Sequence, residues 1–205
     1  MSRSLSASTN TLIEGSGSRE SVTPEVYDVL DRPEETNLLV LSYSDGSDSW
    51  LQNWRAHAGD LPEQIGFVHV GVPTRSAVAS AHSADALAEP TFSEAAAHAD
   101  PLLPDAVSDP TDLARLGICA SEYLESWNDD CRETVVFLDS LTDLLDHVPL
   151  ARAFKFLQVL TARVENVDGR GYYLVDPSAH NTTSLAAMRE LADAVVDLDD
   201  SHPQY

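Results

Sequence analysis

The stretch Glu133-Thr-Val-Val-Phe-Leu-Asp139-Ser-Leu-Thr-Asp-Leu-Leu145 decides the fold. Its first half is a continuous apolar run, the pattern of a strand buried on both faces of a parallel sheet. The run ends in Asp139-Ser140, and the apolar spacing then becomes helical. Asp143 and Asp146 fall near the start of that helix, where its dipole favours negative charge. An acid at the carboxyl end of such a strand lies on the edge where α/β sheets bind ligands.

The same alternation extends in both directions. Asn37-Leu-Leu-Val-Leu-Ser42 and Gln64-Ile-Gly-Phe-Val-His-Val70 read as buried strands before it, and Tyr172-Tyr-Leu-Val175 and Ala194-Val-Val-Asp-Leu198 as strands after it. A helix is expected over Trp50 to Ala58, capped by Ser49 or Asp48. Asp109-Pro110 is expected to open the next, whose apolar stripe is Leu113, Leu116, Ala120, Tyr123, Leu124 and Trp127. A third carries Leu150, Ala153, Phe154, Leu157, Leu160 and Val164 on one face, with Arg152, Lys155 and Arg163 elsewhere. Thr182 or Thr183 is expected to cap a fourth. These elements predict a three-layer α/β domain: a mainly parallel sheet of about five core strands with helices on both faces.

That single domain is expected over residues 24–200, opening with a short helix from Pro24 to Leu30. Residues 1–23, rich in Ser, Thr and Gly, read as a flexible tail. Residues 71–109, rich in Ala, Pro, Ser and His, read as an irregular insertion with a short helix near Ser93 to Ala99. Residues 201–205 read as a C-terminal tail.

The 205 residues suffice for one sizeable core. Against 12 basic residues stand 34 acidic ones, a net charge of -22. Folded chains with this balance suit a salt-rich cytoplasm, because at ~1 M salt the Debye length is roughly 3 Å and self-repulsion is screened. A disordered acidic chain is the rival, and 43% hydrophobic residues in periodic runs oppose it. The surface predicts no nucleic-acid and no membrane partner, since it offers no basic stripe and no apolar run of about 20 residues. With no signal-peptide core at the N-terminus, a cytoplasmic location is expected. Cys119 and Cys131 are too few for a disulfide framework or a four-cysteine zinc site.

Five strands in this order, the third ending in an acid, resemble the RecA/KaiC-like ATPase core over roughly Thr36 to Asp199. Three segments carry the resemblance most specifically: Thr134-Val-Val-Phe-Leu-Asp-Ser-Leu-Thr-Asp-Leu-Leu145; Arg152-Ala-Phe-Lys-Phe-Leu-Gln-Val-Leu-Thr-Ala-Arg163; and Tyr172-Tyr-Leu-Val-Asp-Pro-Ser-Ala-His180, leading on to Leu191-Ala-Asp-Ala-Val-Val196. Together they look like a haloarchaeal family of small RecA-like proteins of uncharacterised function with a degenerate phosphate loop.

The resemblance puts Leu38 to Ser42 on the first strand and Ser42 to Ser49 where the phosphate loop would lie. A working loop needs glycines for close backbone approach, a lysine for the β- and γ-phosphates and a hydroxyl for Mg²⁺. Here Gly46 is the one glycine, and the chain's only lysine, Lys155, comes after the Asp139 strand. Asp45 and Asp48 add negative charge. Two unit charges ~4 Å apart interact by ~1 kcal/mol in water and by several times that in a partly dry site, here as repulsion. Ser44, Gly46, Ser47, Ser49, Asp139 and Ser140 thus form a vestigial nucleotide-binding set, with Asp139 the candidate Mg²⁺ ligand. KaiC-like ATPases also carry water-activating acids beyond the second strand. Here Gly71-Val-Pro-Thr-Arg-Ser-Ala-Val-Ala-Ser-Ala81 follows, with no carboxylate until Asp85.

The resemblance therefore implies a domain with no catalytic residue and no cofactor, acting as a regulatory or interaction module through a protein partner or as a homo-oligomer. The alternative is a divergent ATP-binding protein or slow ATPase with Mg²⁺ at Asp139, though one carboxylate holds Mg²⁺ only when phosphates complete its shell. For Asp139-Ser140 the other reading is a strand-end acid and a helix cap. Asp176 and His180 are candidates for an acid–base couple at a strand's carboxyl end, or for turn and cap contacts. His57, His69, His82, His98 and His147 show no ligand spacing. No Gly-x-Ser-x-Gly elbow exists. Trp50 and Trp54, four residues apart, read as core against the sheet.

Overall fold

The computed structural model describes residues 9–15, 35–43, 47–57, 61–71, 106–129 and 131–198. Its centre is a seven-stranded, wholly parallel sheet. The strands are β1 (Asn10–Glu14), β2 (Thr36–Ser42), β3 (Gln64–Val70), β4 (Ala106–Val107), β5 (Glu133–Asp139), β6 (Arg170–Val175) and β7 (Ala194–Asp197), in spatial order β4-β3-β2-β5-β6-β1-β7. The helices are α1 (Ser47–His57), α2 (Leu113–Trp127), α3 (Leu141–His147), α4 (Leu150–Asn166) and α5 (Thr182–Arg189), with a 3₁₀ turn at Pro177–Ala179.

Alternation along the strands sorts the core into two layers. On one face Leu39, Leu41, Val68, Val136, Leu138 and Tyr173 pack with buried side chains of α2, α3, α4 and α5. On the other Leu38, Val40, Phe67, Val135 and Phe137 pack with Trp50, Leu51 and Trp54 of α1. The two indoles stack at 5.2 Å and are buried, as their spacing predicts. Strands covered on both faces explain the continuous apolar runs that made β2, β3, β5 and β6 legible.

Two of the seven strands depart from expectation. Residues 10–14 fall in the segment read as a tail, yet they form β1, paired with both β6 and β7 and wholly buried. Asn10-Thr-Leu-Ile-Glu14 reads as too polar for a core strand, but its polar groups are met from far along the chain. Tyr173 donates to Asn10 Oδ1 at 2.8 Å, Asn10 Nδ2 donates to Glu165 at 3.1 Å, and the Asn10 amide donates to Asp193 at 2.9 Å. Gly171 lies beside this cluster, where an added Cβ would come within 2.7 Å of Asn10 Oδ1. The other departure is β4, two residues at the sheet's edge inside the segment read as an irregular insertion.

Helix starts also shift. The cap of α2 is Asp112, which accepts from the Arg115 amide, whereas Asp109 closes a local turn on Thr111. Helix α1 begins at Ser47, so Asp48 and Ser49 lie within it rather than before it. Asn181, not Thr182 or Thr183, caps α5 through the Ser184 amide. In α4 the buried phenylalanine is Phe156, while Phe154 is half-buried. The helices expected at Pro24 to Leu30 and Ser93 to Ala99 lie outside the described residues.

Candidate functional site

From β2 the chain runs outward to β3 and β4. It then returns to β5 on the other side of β2 and continues to β6. The direction of winding reverses between β2 and β5, and a crevice outside their carboxyl ends is where such sheets bind ligands. Ser42 is in register with Asp139 on one side and with His69 on the other. Strand alternation puts all three on the α1 face, since Ser42 continues Leu38 and Val40, Asp139 continues Val135 and Phe137, and His69 continues Ile65 and Phe67. The carboxyl edge therefore presents an imidazole, a hydroxyl and a carboxylate in a row. With strands about 4.8 Å apart, the backbones of His69 and Asp139 are separated by roughly 10 Å, too far for their side chains to act as a directly bonded pair with Ser42 between them.

Asp139 and Ser42 are buried, and the Tyr43 amide donates to the Asp139 carbonyl at 2.8 Å. The Asp139–Ser140 peptide is cis. Ser140 caps α3: its Oγ accepts from the Asp143 amide at 3.2 Å and donates to the Asp143 carboxylate at 2.6 Å. Its hydroxyl thus serves the helix end, and so does the Asp143 carboxylate. Tyr43, packed at 6.0 Å against the His147 ring, has its phenol pushed upward in pKa by burial.

Ser44 and Gly46 lie outside the described residues, as do the side chains of Ser47 and Ser49. What is fixed is the length of the connection: β2 ends at Ser42 and α1 begins at Ser47, leaving residues 43–46 between them. Lys155, exposed on α4, lies on the opposite side of the sheet from α1. No lysine lies at the start of α1, where a phosphate loop places one, and the lone lysine is not on this side of the sheet. Among the described residues no group of three or more His, Cys, Asp or Glu is placed to hold a metal ion.

Asp176 and His180 do not form a couple. The Asp176 carboxylate accepts from the Ser178 amide at 2.8 Å and from its hydroxyl at 2.7 Å, closing the 3₁₀ turn. His180 Nε2 lies 3.1 Å from Thr142 Oγ1, which also accepts from the Asp176 amide at 2.9 Å. The residue that unites this corner is Thr142, which carries no motif in the sequence. His69 was also missed. Its Nδ1 is buried without a hydrogen-bond partner among the described residues, and only the strand register sets it beside Ser42.

A family model matches residues 8–198. The chain belongs to a family of unknown function, DUF7504. The match begins just ahead of β1, so the family's unit includes the strand that the sequence reading left in a tail. No curated protein matches the chain. Two solved structures from Pyrococcus horikoshii share its fold. One, titled a structural study of Project ID PH0250, is 12% identical with a TM-score of 0.56, covering 94% of this chain and 83% of its own. The other, the uncharacterised protein PH0321 in complex with an unknown peptide, is 13% identical with a TM-score of 0.52, covering 92% and 76%. Among the described residues no helix is long and apolar enough to cross a membrane.

Proposed function

We propose that this DUF7504 protein is a catalytically degenerate RecA/KaiC-like domain that acts as a regulatory or protein-interaction module in the cytoplasm of a halophilic archaeon. The observation that carries the reading is the β2–α1 connection. A phosphate loop runs over about eight motif positions, with glycines that open its backbone amides to phosphate and a lysine near the helix start. Here the eight positions 42–49 hold one glycine, no lysine, and the acids Asp45 and Asp48, and the only lysine is on α4. The acidic composition supports the halophilic source. The two archaeal neighbours share the fold, and one of them holds a peptide.

Calorimetric titration with Mg-ATP in multimolar KCl tests the proposal. The expected result is neither heat nor a thermal shift at millimolar nucleotide. A second reading has one observation in its favour: Asp139 sits beside Ser42 at the crevice where the winding reverses. That reading, a divergent ATP-binding protein or slow ATPase with Mg²⁺ at Asp139, predicts micromolar binding abolished by Asp139→Asn. Such a result would replace the first reading with the second.

A further inference from the structure

Helices α2 and α4 pack side by side on the sheet, and their outer surfaces enclose an open groove of about 590 Å³. We propose that this groove docks an amphipathic helix of a partner protein, with the helix's apolar face on Ile118, Phe156 and Val159 and an acidic edge along α4. The proposal rests on the reading of this chain as an interaction module and names the surface and the chemistry of the partner.

Three observations converge on it. The first is apolar exposure. Ile118, Val159 and Val195 are the large apolar side chains left exposed among the described residues, and the first two, at 50% and 57%, line this groove. The second is charge. In a chain of 34 acidic and 12 basic residues, Arg152, Lys155 and Arg163 all line the groove from α4. Arg163 reaches Glu125 at 3.7 Å and Arg152 donates to the Thr111 carbonyl at 3.0 Å, whereas Lys155 has no ion-pair partner among the described residues. Glu122 and Glu125 line the facing α2 wall, so the cationic character is confined to α4, and it is that wall which is complementary to an acidic edge on the partner. The third is access. Gly117 forms part of the groove's lining in mid-helix, where glycine destabilises by roughly 0.5–1 kcal/mol relative to alanine. Packing does not demand it: a Cβ there would meet Phe156 at 3.8 Å, an ordinary contact. The glycine leaves the α2 backbone open to whatever enters.

The dimensions favour a helix. Lining residues run from Leu113 to Glu125 on α2 and from Arg152 to Arg163 on α4, which at 1.5 Å per residue is roughly 17 Å, about three helical turns. A third helix laid there presents apolar anchors at i, i+4 and i+7. A second copy of this chain fits less well, since it brings the same concave surface.

The test uses two synthetic helical peptides of about 18 residues, long enough to hold helix in isolation. Both carry leucine at i, i+4, i+7 and i+11. One carries glutamate along the neighbouring edge and its twin carries lysine. Fluorescence anisotropy against the full chain, at the lowest KCl at which thermal melts show it folded, should show the acidic peptide binding at least about tenfold more tightly than its twin, a preference that shrinks as KCl is raised. The double change Ile118→Asp/Val159→Asp should abolish binding, and Lys155→Glu should erase the preference. All three residues are exposed, so thermal melts report whether the fold is intact. No binding by either peptide, equal binding of the twins, or binding that survives the double change overturns the proposal. Self-association lost on Ile118→Asp would assign the groove to a second copy and likewise overturn it. If ATP titration is silent and the peptides fail, the docked helix alone is wrong; if ATP binds, the reading beneath it has failed.

Discussion

The carboxyl edge of the sheet and the groove between α2 and α4 treat their functional groups in opposite ways. On the edge, most polar groups of a mechanistic kind are held by a neighbour, with His69 Nδ1 the exception among the described residues. Ser140 caps α3, Asp176 closes its own turn, His180 meets Thr142, and the Glu14 carboxylate is held by Arg189 at 2.7 and 2.6 Å. In the groove, two large aliphatic side chains face solvent and the one lysine stands without an ion-pair partner among the described residues. Satisfied groups stabilise a fold, and the aliphatic pair exposed in the groove is the surface on which the docking proposal rests. The bonds visible on the edge therefore serve the fold, His69 aside, and the groove is the surface that the docking proposal uses.

The largest effect that would break this contrast lies on the edge. Glu14 is only 4% exposed on its side chain, and Arg189 is its bidentate partner. Arg189→Met leaves that buried carboxylate without its bidentate partner and should give the largest drop in stability of the set. Adding Glu14→Leu should restore most of the loss, because an apolar pair needs no counter-charge. Urea denaturation of the single and double variants checks this, and an unchanged midpoint for Arg189→Met would show that the edge is not structural.

Next is alkaline pH. The Tyr173 phenol is buried and donates to Asn10, and burial raises its pKa well above the ordinary value of about 10. The folded state therefore resists losing that proton. Its contribution to stability is complete below pH about 10 and declines as pH rises from there through the folded-state value. Tyr173→Phe should flatten this decline in melts recorded from neutral to strongly alkaline pH, while lowering neutral stability by about 1–2 kcal/mol through the unmet Asn10 oxygen. Smaller still is Ser140→Ala, which removes the α3 cap and should cost about 1 kcal/mol by urea denaturation. If Ser140 serves the helix alone, that variant leaves peptide binding unchanged.

Much of the fold is legible in the sequence because buried parallel strands are apolar on both faces. Leu38 to Leu41 and Thr134 to Leu138 announce themselves in this way. Strand β1 does not, because the groups that make Asn10 and Glu14 acceptable in a core, namely Tyr173, Glu165, Asp193 and Arg189, lie more than 150 positions away. At the candidate site, the strand-end position of Asp139 is legible, but the row it forms with Ser42 and His69 exists only in the register between strands. Thr142, joining the Asp176 amide and His180, is invisible for the same reason. The groove did leave a trace: Ile118 and Val159 are aliphatic residues that fall off the apolar stripes of their helices. Singly exposed aliphatic residues are ordinary, and only the fold, by setting these two in one groove, makes a second face of them.

That second face gives the sharpest form of the contrast, at the smallest energy. Gly117→Ala adds a methyl group where the nearest atom outside the helix would be 3.8 Å away. Helix propensity and the lowered entropy of the unfolded chain then predict a gain of about 0.5–1 kcal/mol, seen as a higher denaturation midpoint. At the same position the methyl group narrows the approach to the α2 backbone, so affinity for the acidic helical peptide should fall several-fold. One substitution would thus raise stability and lower binding together. A glycine kept only for packing between α2 and α4 predicts the reverse pattern, a loss of stability with binding unaffected, and the two measurements on one variant separate these cases.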